Sequence, residues 1–177
     1  MRRVFLLGIV CMAALACAQP QPSRPVTMKE LLLQELHETH DRKDWFVSAR
    51  EATAGLTAEQ AAWTDGKGNH SVGQLLYHLA FWNDDALARL KGSPHSFNGA
   101  NDDTFNKYDP KDWEATVKKF NDGMTEIEKI VENADDAKLA TIAPLVAHIC
   151  THNAYHIGEM VVVRKLQGSW NPENGVK

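Results

Sequence analysis

The stretch that decides the fold runs from Thr141 to Gln167, TIAPLVAHICTHNAYHIGEMVVVRKLQ. Taken alone, Val161-Val162-Val163 is a strand signal, because β-branched residues suit a pleated backbone. The valines sit, however, inside one continuous helical pattern. That pattern opens near Thr141 with Pro144 in its first turn and closes before Gly168. No other segment reads as a partner strand. The segment is therefore predicted to be a helix, and the chain to be all-α.

Three more helices are expected in the rest of the chain. Thr27-Met28-Lys29-Glu30 is a capping box, in which Thr and Glu satisfy each other's backbone N–H groups. It opens a helix from about 28 to 54, with unevenly spaced apolar residues Leu32, Leu33, Leu36, Trp45, Phe46 and Val47. Leu56 to Gln60 reads as a short extra turn. Ser71-Val72-Gly73-Gln74 opens a helix from about 72 to 91, stopped by Gly92 and Pro94. Its apolar stripe is Leu75, Leu79, Trp82, Ala86 and Leu90. Asp109-Pro110 starts a further helix that carries Trp113, Val117, Phe120, Met124, Ile127 and Val131, a bundle-type seam. The link from Gly92 to Asp109 spans at most about 55 Å if extended. A helix of about 20 residues is about 30 Å long. The link is thus long enough to leave the second and third long helices parallel.

The chain has 177 residues, 44% of them hydrophobic and 24% charged, which fits one globular domain rather than a disordered chain. Its net charge of −4 gives no electrostatic reason to expect a nucleic-acid partner. Residues 1–18 read as a leader: Met1-Arg2-Arg3 is basic and Val4 to Ala16 is apolar. Two cleavage readings stand. Ala16-Cys17-Ala18 fits a secretory signal peptide, and Ala14-Leu15-Ala16-Cys17 resembles a lipobox that would place a lipid anchor on Cys17. Either makes the chain periplasmic or secreted. Residues 19–26 read as a linker, 27–170 as the helical domain and 171–177 as a tail. Without its leader the chain keeps 17 basic and 23 acidic residues, near −6, and Cys150 is then its sole internal cysteine. An intrachain disulfide and any CxxC site are excluded.

Candidate chemistry lies with histidine. His148, His152 and His156 are each four apart and so share one helical face. Two imidazoles at i and i+4 can share one metal ion, and imidazole suits zinc, nickel, iron and copper. A bundle would supply a third ligand from a facing helix, and His78 lies one residue from the centre of the Leu75–Leu90 stripe. Three neutral imidazoles leave a coordination position for water or substrate. Glu159 lies on the face of His156 and is the candidate catalytic residue, as orienter of a ligand or as proton acceptor. His37, His40 and Asp44 read as a solvated face, and Cys150 as a small core residue. His70 and His95 fall in loops, and the tryptophans read as packing. The chain has no Glu-x-x-His, His-Glu-x-x-His, Gly-x-Ser-x-Gly or phosphate-binding Gly-rich motif.

His152-Asn153-Ala154-Tyr155-His156-Ile157-Gly158-Glu159 resembles the His-xxx-His-x-Gly-Gln signature on the last helix of the DinB-like (DinB/YfiT) superfamily. His70 to Leu79 is similar to that family's second-helix segment, and Leu56 to Trp63 to its link between the first two helices. The resemblance covers about residues 27 to 168. It implies a four-helix bundle of up-down-down-up topology, with a divalent metal (zinc, nickel or iron) on His78, His152 and His156. It puts His148 outside the triad, one turn away. It implies a metal-dependent hydrolase or thiol S-transferase acting on a small molecule, often as a homodimer. A non-catalytic periplasmic metal- or ligand-binding bundle is the alternative. The signature's Gln is Glu159 here, which adds a negative charge beside the metal. Export also sits poorly with transfer of cytosolic thiols.

Overall fold

The computed structural model describes residues 26–94 and 96–175. The expected leader, the lipobox cysteine, most of the linker, His95 and the last two residues lie outside that range. All regular structure among the described residues is helical. Four long helices form the body: α1 (Met28–His40), α4 (Val72–Leu90), α6 (Trp113–Asn133) and α7 (Asp136–Gln167). Three short ones decorate it: α2 (Ala49–Thr53), α3 (Ala58–Ala62) and α5 (Asp103–Asn106). No described helix is long and apolar enough to cross a membrane.

Capping sets most boundaries. Glu30 and Thr27 form the expected box at α1, and Gln74 accepts from the Ser71 N–H at 3.0 Å to open α4. Two boundaries differ from expectation. The first helix stops at His40 rather than near 54, and Trp45 stands 93% exposed in the break. The charged run Asp41 to Asp44 offers no apolar face to bury. Ser48 then starts a fresh helix by donating its N–H to Glu51 at 3.0 Å. The last helix starts at Asp136, capped by the Asp135 side chain, so Pro144 lies inside it rather than in its first turn. Proline costs a helix interior its i−4 hydrogen bond. Here the carbonyl left over belongs to Ala140, which is exposed, so water can pair it. Val161 to Val163 are helical throughout.

The core is one cluster. Leu36, Leu75, Leu79, Phe120, Met124, Ile127 and Met160 are essentially sealed from solvent. Helix α1 packs on α6 and α7, and α4 on the same two, which makes a square with α1 and α4 on one diagonal. Cross-helix pairs give the directions. Lys29 bonds the Glu132 carbonyl while His40 meets Asn121, so α1 and α6 are antiparallel. Asp84 pairs with Lys119 and Lys91 with Glu126, so α4 and α6 are parallel. His78 meets His152, and a cavity further along α4 is walled by Arg89 and Leu145, so α4 and α7 are antiparallel. The order is up-down-down-up.

The long link makes the parallel pair feasible. It leaves the far end of α4 and returns along that helix, past His78 at Thr104 and Phe105, to reach Gly73 at Tyr108. A Cβ on Gly73 would lie 2.3 Å from the Tyr108 ring, so the return path needs glycine there. The link therefore does more than connect: it roofs the face of α4 that carries His78.

Candidate metal centre

Three imidazoles converge where α4 and α7 cross. His78 is on α4, and His152 and His156 are one turn apart on α7. One nitrogen from each lies within 4.8 Å of the other two. The Nε2 atoms of His78 and His152 are 3.1 Å apart. Nitrogens on one tetrahedral zinc-like ion, with bonds of about 2.0–2.1 Å, lie about 3.3 Å apart, so this spacing fits a shared ion. The expected position of His148 also holds. It is one turn before His152, its ring parallel to that of His152 at 6.5 Å, and outside the cluster.

The outer nitrogens of His78 and His156 are fixed as ligands require. Thr104 Oγ1 donates to the Asn101 carbonyl at 2.5 Å, and so accepts from His78 Nδ1–H at 2.6 Å. That leaves the His78 Nε2 lone pair facing the cluster. Glu159 Oε2 accepts from His156 Nδ1–H at 2.6 Å, which frees Nε2 in the same way. Such partners lock ring orientation and tautomer. Phe105 stacks on His78 at 3.8 Å, and His70 stacks on the other face of Phe105 at 4.1 Å. The stack pins the His78 ring from the link side. Of the loop histidines, His70 is thus part of the support.

Electrostatics favour neutral imidazoles at His78 and His152. Burial, then the neighbouring imidazoles of His156, His152 and His70, pushes His78 down to about 3. Burial, then His156 and His148, pushes His152 down to about 4. Both keep a free lone pair at neutral pH.

A cavity of about 430 Å³ opens beside the cluster and is lined by all three histidines. It continues along the α4/α7 groove past Trp82, Leu145 and Ile149 to Asp85 and Arg89. Trp82 is therefore a wall of this cavity rather than only packing. Glu159 faces the other way: it backs His156 and lines a separate groove with Tyr155 and Leu166.

Some residues sit elsewhere than expected. His40 is buried, not solvated; its Nδ1 meets Glu128 of α6 at 2.7 Å and its Nε2 meets Asn121 at 3.2 Å. His37 is half-buried, 3.5 Å from the same carboxylate. Cys150 is a core residue, and burial, then the charge of Glu35, pushes its thiol up to about 12. Thr104, Phe105 and Asn101 carry no periodic signal in a link of mixed polarity, so nothing in the sequence marked them.

The arrangement defines a class: an antiparallel-and-parallel four-helix bundle with a three-imidazole group on two facing helices that can hold a metal ion. A family model described as the DinB superfamily matches residues 48–160, well over half of the chain. The chain belongs to that superfamily. The match contains all three histidines and Glu159 and begins after α1, whose packing nonetheless closes the bundle. No curated protein and no solved structure matches the chain.

Proposed function

We propose that this protein is an exported metal-dependent enzyme that hydrolyses a small molecule held in the α4/α7 cavity. One observation carries the reading: His78, His152 and His156 present nitrogens within 4.8 Å of one another at the end of a cavity of about 430 Å³. These three residues would hold a divalent ion, with Thr104 and Glu159 orienting His78 and His156. A bound ion supplies Lewis acidity and lowers the pKa of a coordinated water or thiol. The remaining work belongs to the chain. Phe105 and Trp82 wall one side of the cavity, and its apolar walls favour a substrate with a hydrocarbon body. His148 opens onto the cavity and can exchange a proton with what lies there. Of the two roles open to Glu159, orienting a ligand fits its contact with His156. Export rests on the leader at residues 1–18 and favours hydrolysis over transfer of a cytosolic thiol.

The test is a purified mature chain loaded separately with zinc, nickel and iron(II), then assayed against ester, amide and thiol-transfer panels. Metal-dependent ester or amide turnover, lost in His152→Ala, supports the proposal. Metal uptake with no turnover on any panel would replace it with a binding bundle. Turnover confined to the thiol panel would replace hydrolysis with transfer.

A further inference from the structure

We propose that Arg89 selects the substrate, and that the substrate is a small amphiphilic anion, a carboxylate in particular. The inference rests on the metal reading above. His78, Trp82, Asp85 and Arg89 recur at i, i+4, i+7 and i+11 on α4, so one helical face carries all four into the cavity. Asp85 is the sole acidic residue on that wall and Arg89 the sole basic one besides histidine, among the described residues. The Asp85 side chain is 6% exposed and holds Arg89 Nη2 at 2.7 Å. That contact orients the guanidinium and leaves donors over, since guanidinium has five N–H groups in a fixed fork. A planar carboxylate is the acceptor that fits such a fork. The far end of the cavity asks for the same charge. Three neutral imidazoles cancel none of a divalent ion's charge, and the single Glu159 carboxylate behind His156 offsets only part of it, so the metal end keeps a net positive charge.

Between these ends the wall is mainly apolar, with Trp82 and Ala86 from α4 and Leu145 and Ile149 from α7, interrupted by Asn83 and His148. Asp85 lies seven residues beyond His78, about 10 Å along the helix at 1.5 Å per residue. The fitting ligand thus presents one group to the metal, an apolar chain through the middle, and an anionic group about 10 Å away. A short acid cannot span the two ends, and a neutral chain makes no ion pair with the guanidinium donors that Asp85 leaves over.

The experiment titrates cobalt(II)-loaded protein with four probes: mercaptoacetate, mercaptohexanoate, mercaptooctanoate and neutral mercaptohexanol. Binding is read from the thiolate-to-cobalt charge-transfer band, with no turnover needed. The expected result is that mercaptohexanoate or mercaptooctanoate binds about tenfold or more tighter than mercaptohexanol and mercaptoacetate, the size of one charge-assisted hydrogen bond. Arg89→Gln should abolish that preference while mercaptohexanol affinity and the cobalt spectrum stay as in wild type. Because Arg89→Gln leaves Asp85 without its cation, the double variant Asp85→Asn with Arg89→Gln is run beside it. Its preference should also vanish. Equal affinities for charged and neutral chains on a cobalt-loaded wild type would overturn this inference and leave the metal site standing. A carboxylate preference that survives in both variants would overturn the assignment to Arg89. Failure of wild type to bind cobalt would overturn the metal reading and this inference with it.

Discussion

Replacing Thr104 by Val probes the site through a residue that touches no metal. Thr104 Oγ1 accepts from His78 Nδ1–H at 2.6 Å, and both side chains are almost fully buried. Valine keeps the shape and removes the acceptor. The His78 N–H then has no partner, which costs about 1–3 kcal/mol in the metal-free fold. The Asn101 carbonyl that Thr104 also served is on an exposed residue and finds water. The imidazole can escape by moving its proton to Nε2, but that blocks the nitrogen that faces His152. Metal binding must then reverse the tautomer. Loss of such an outer partner lowers metal affinity about 10–100-fold. Competition with a chromophoric zinc chelator at pH 7 reads the affinity, and thermal unfolding of the apo-protein reads stability. For a domain of this size each kcal/mol moves Tm by about 2–4 °C. Thr104→Ser should restore most of both. A folded Thr104→Val that binds zinc within about twofold of wild type would show that Thr104 does not hold His78 for metal, because the predicted penalty starts near tenfold.

Three further outcomes follow from other contacts. Glu159→Ala should weaken zinc about 10–100-fold by freeing His156, whereas Glu159→Gln keeps an acceptor and should lose little; equal effects in a chelator competition would contradict this. Acid should destabilise the apo-protein between pH 6.5 and about 3. Folded His78 and His152 resist protonation down to about 3 and 4, while the unfolded chain takes up those protons near 6.5, so their stability contribution is whole above 6.5 and fades below it. Urea titrations across that range should show the slope, and His78→Leu should flatten it. Glu128→Leu should cost about 1–3 kcal/mol by leaving the buried His40 Nδ1 without its partner, read as a lower urea midpoint; an unchanged midpoint would make the contact incidental.

How much of this was legible in the sequence depends on periodicity. The i, i+4 pair His152 and His156 and the stripe beside His78 are helical spacings, and helical spacing survives folding intact. The seam from Trp113 to Val131 was readable for the same reason. Legibility failed where local chemistry overrides period. Pro144 looked like a first-turn proline because that is its cheapest place, yet the Asp135 cap begins the helix earlier and solvent relieves the proline's cost. The Ser48–Glu51 box was present in the sequence but hidden by the apolar cluster Trp45-Phe46-Val47 before it. His40 was misread because its burial depends on α6, a partner supplied by tertiary structure. Thr104 and Phe105 were beyond reach, since a link has no period to register against α4.

If the three histidines form one metal site, they hold one ion together. Elemental analysis by mass spectrometry, after loading with zinc and exhaustive dialysis, tests it directly on wild type and on His78→Ala, His152→Ala and His156→Ala, with helicity checked by circular dichroism. One zinc per wild-type chain and a loss of stoichiometric zinc in each folded variant are expected. Wild type without stoichiometric zinc, or any single variant that retains it in full, would show that the three histidines are not one site.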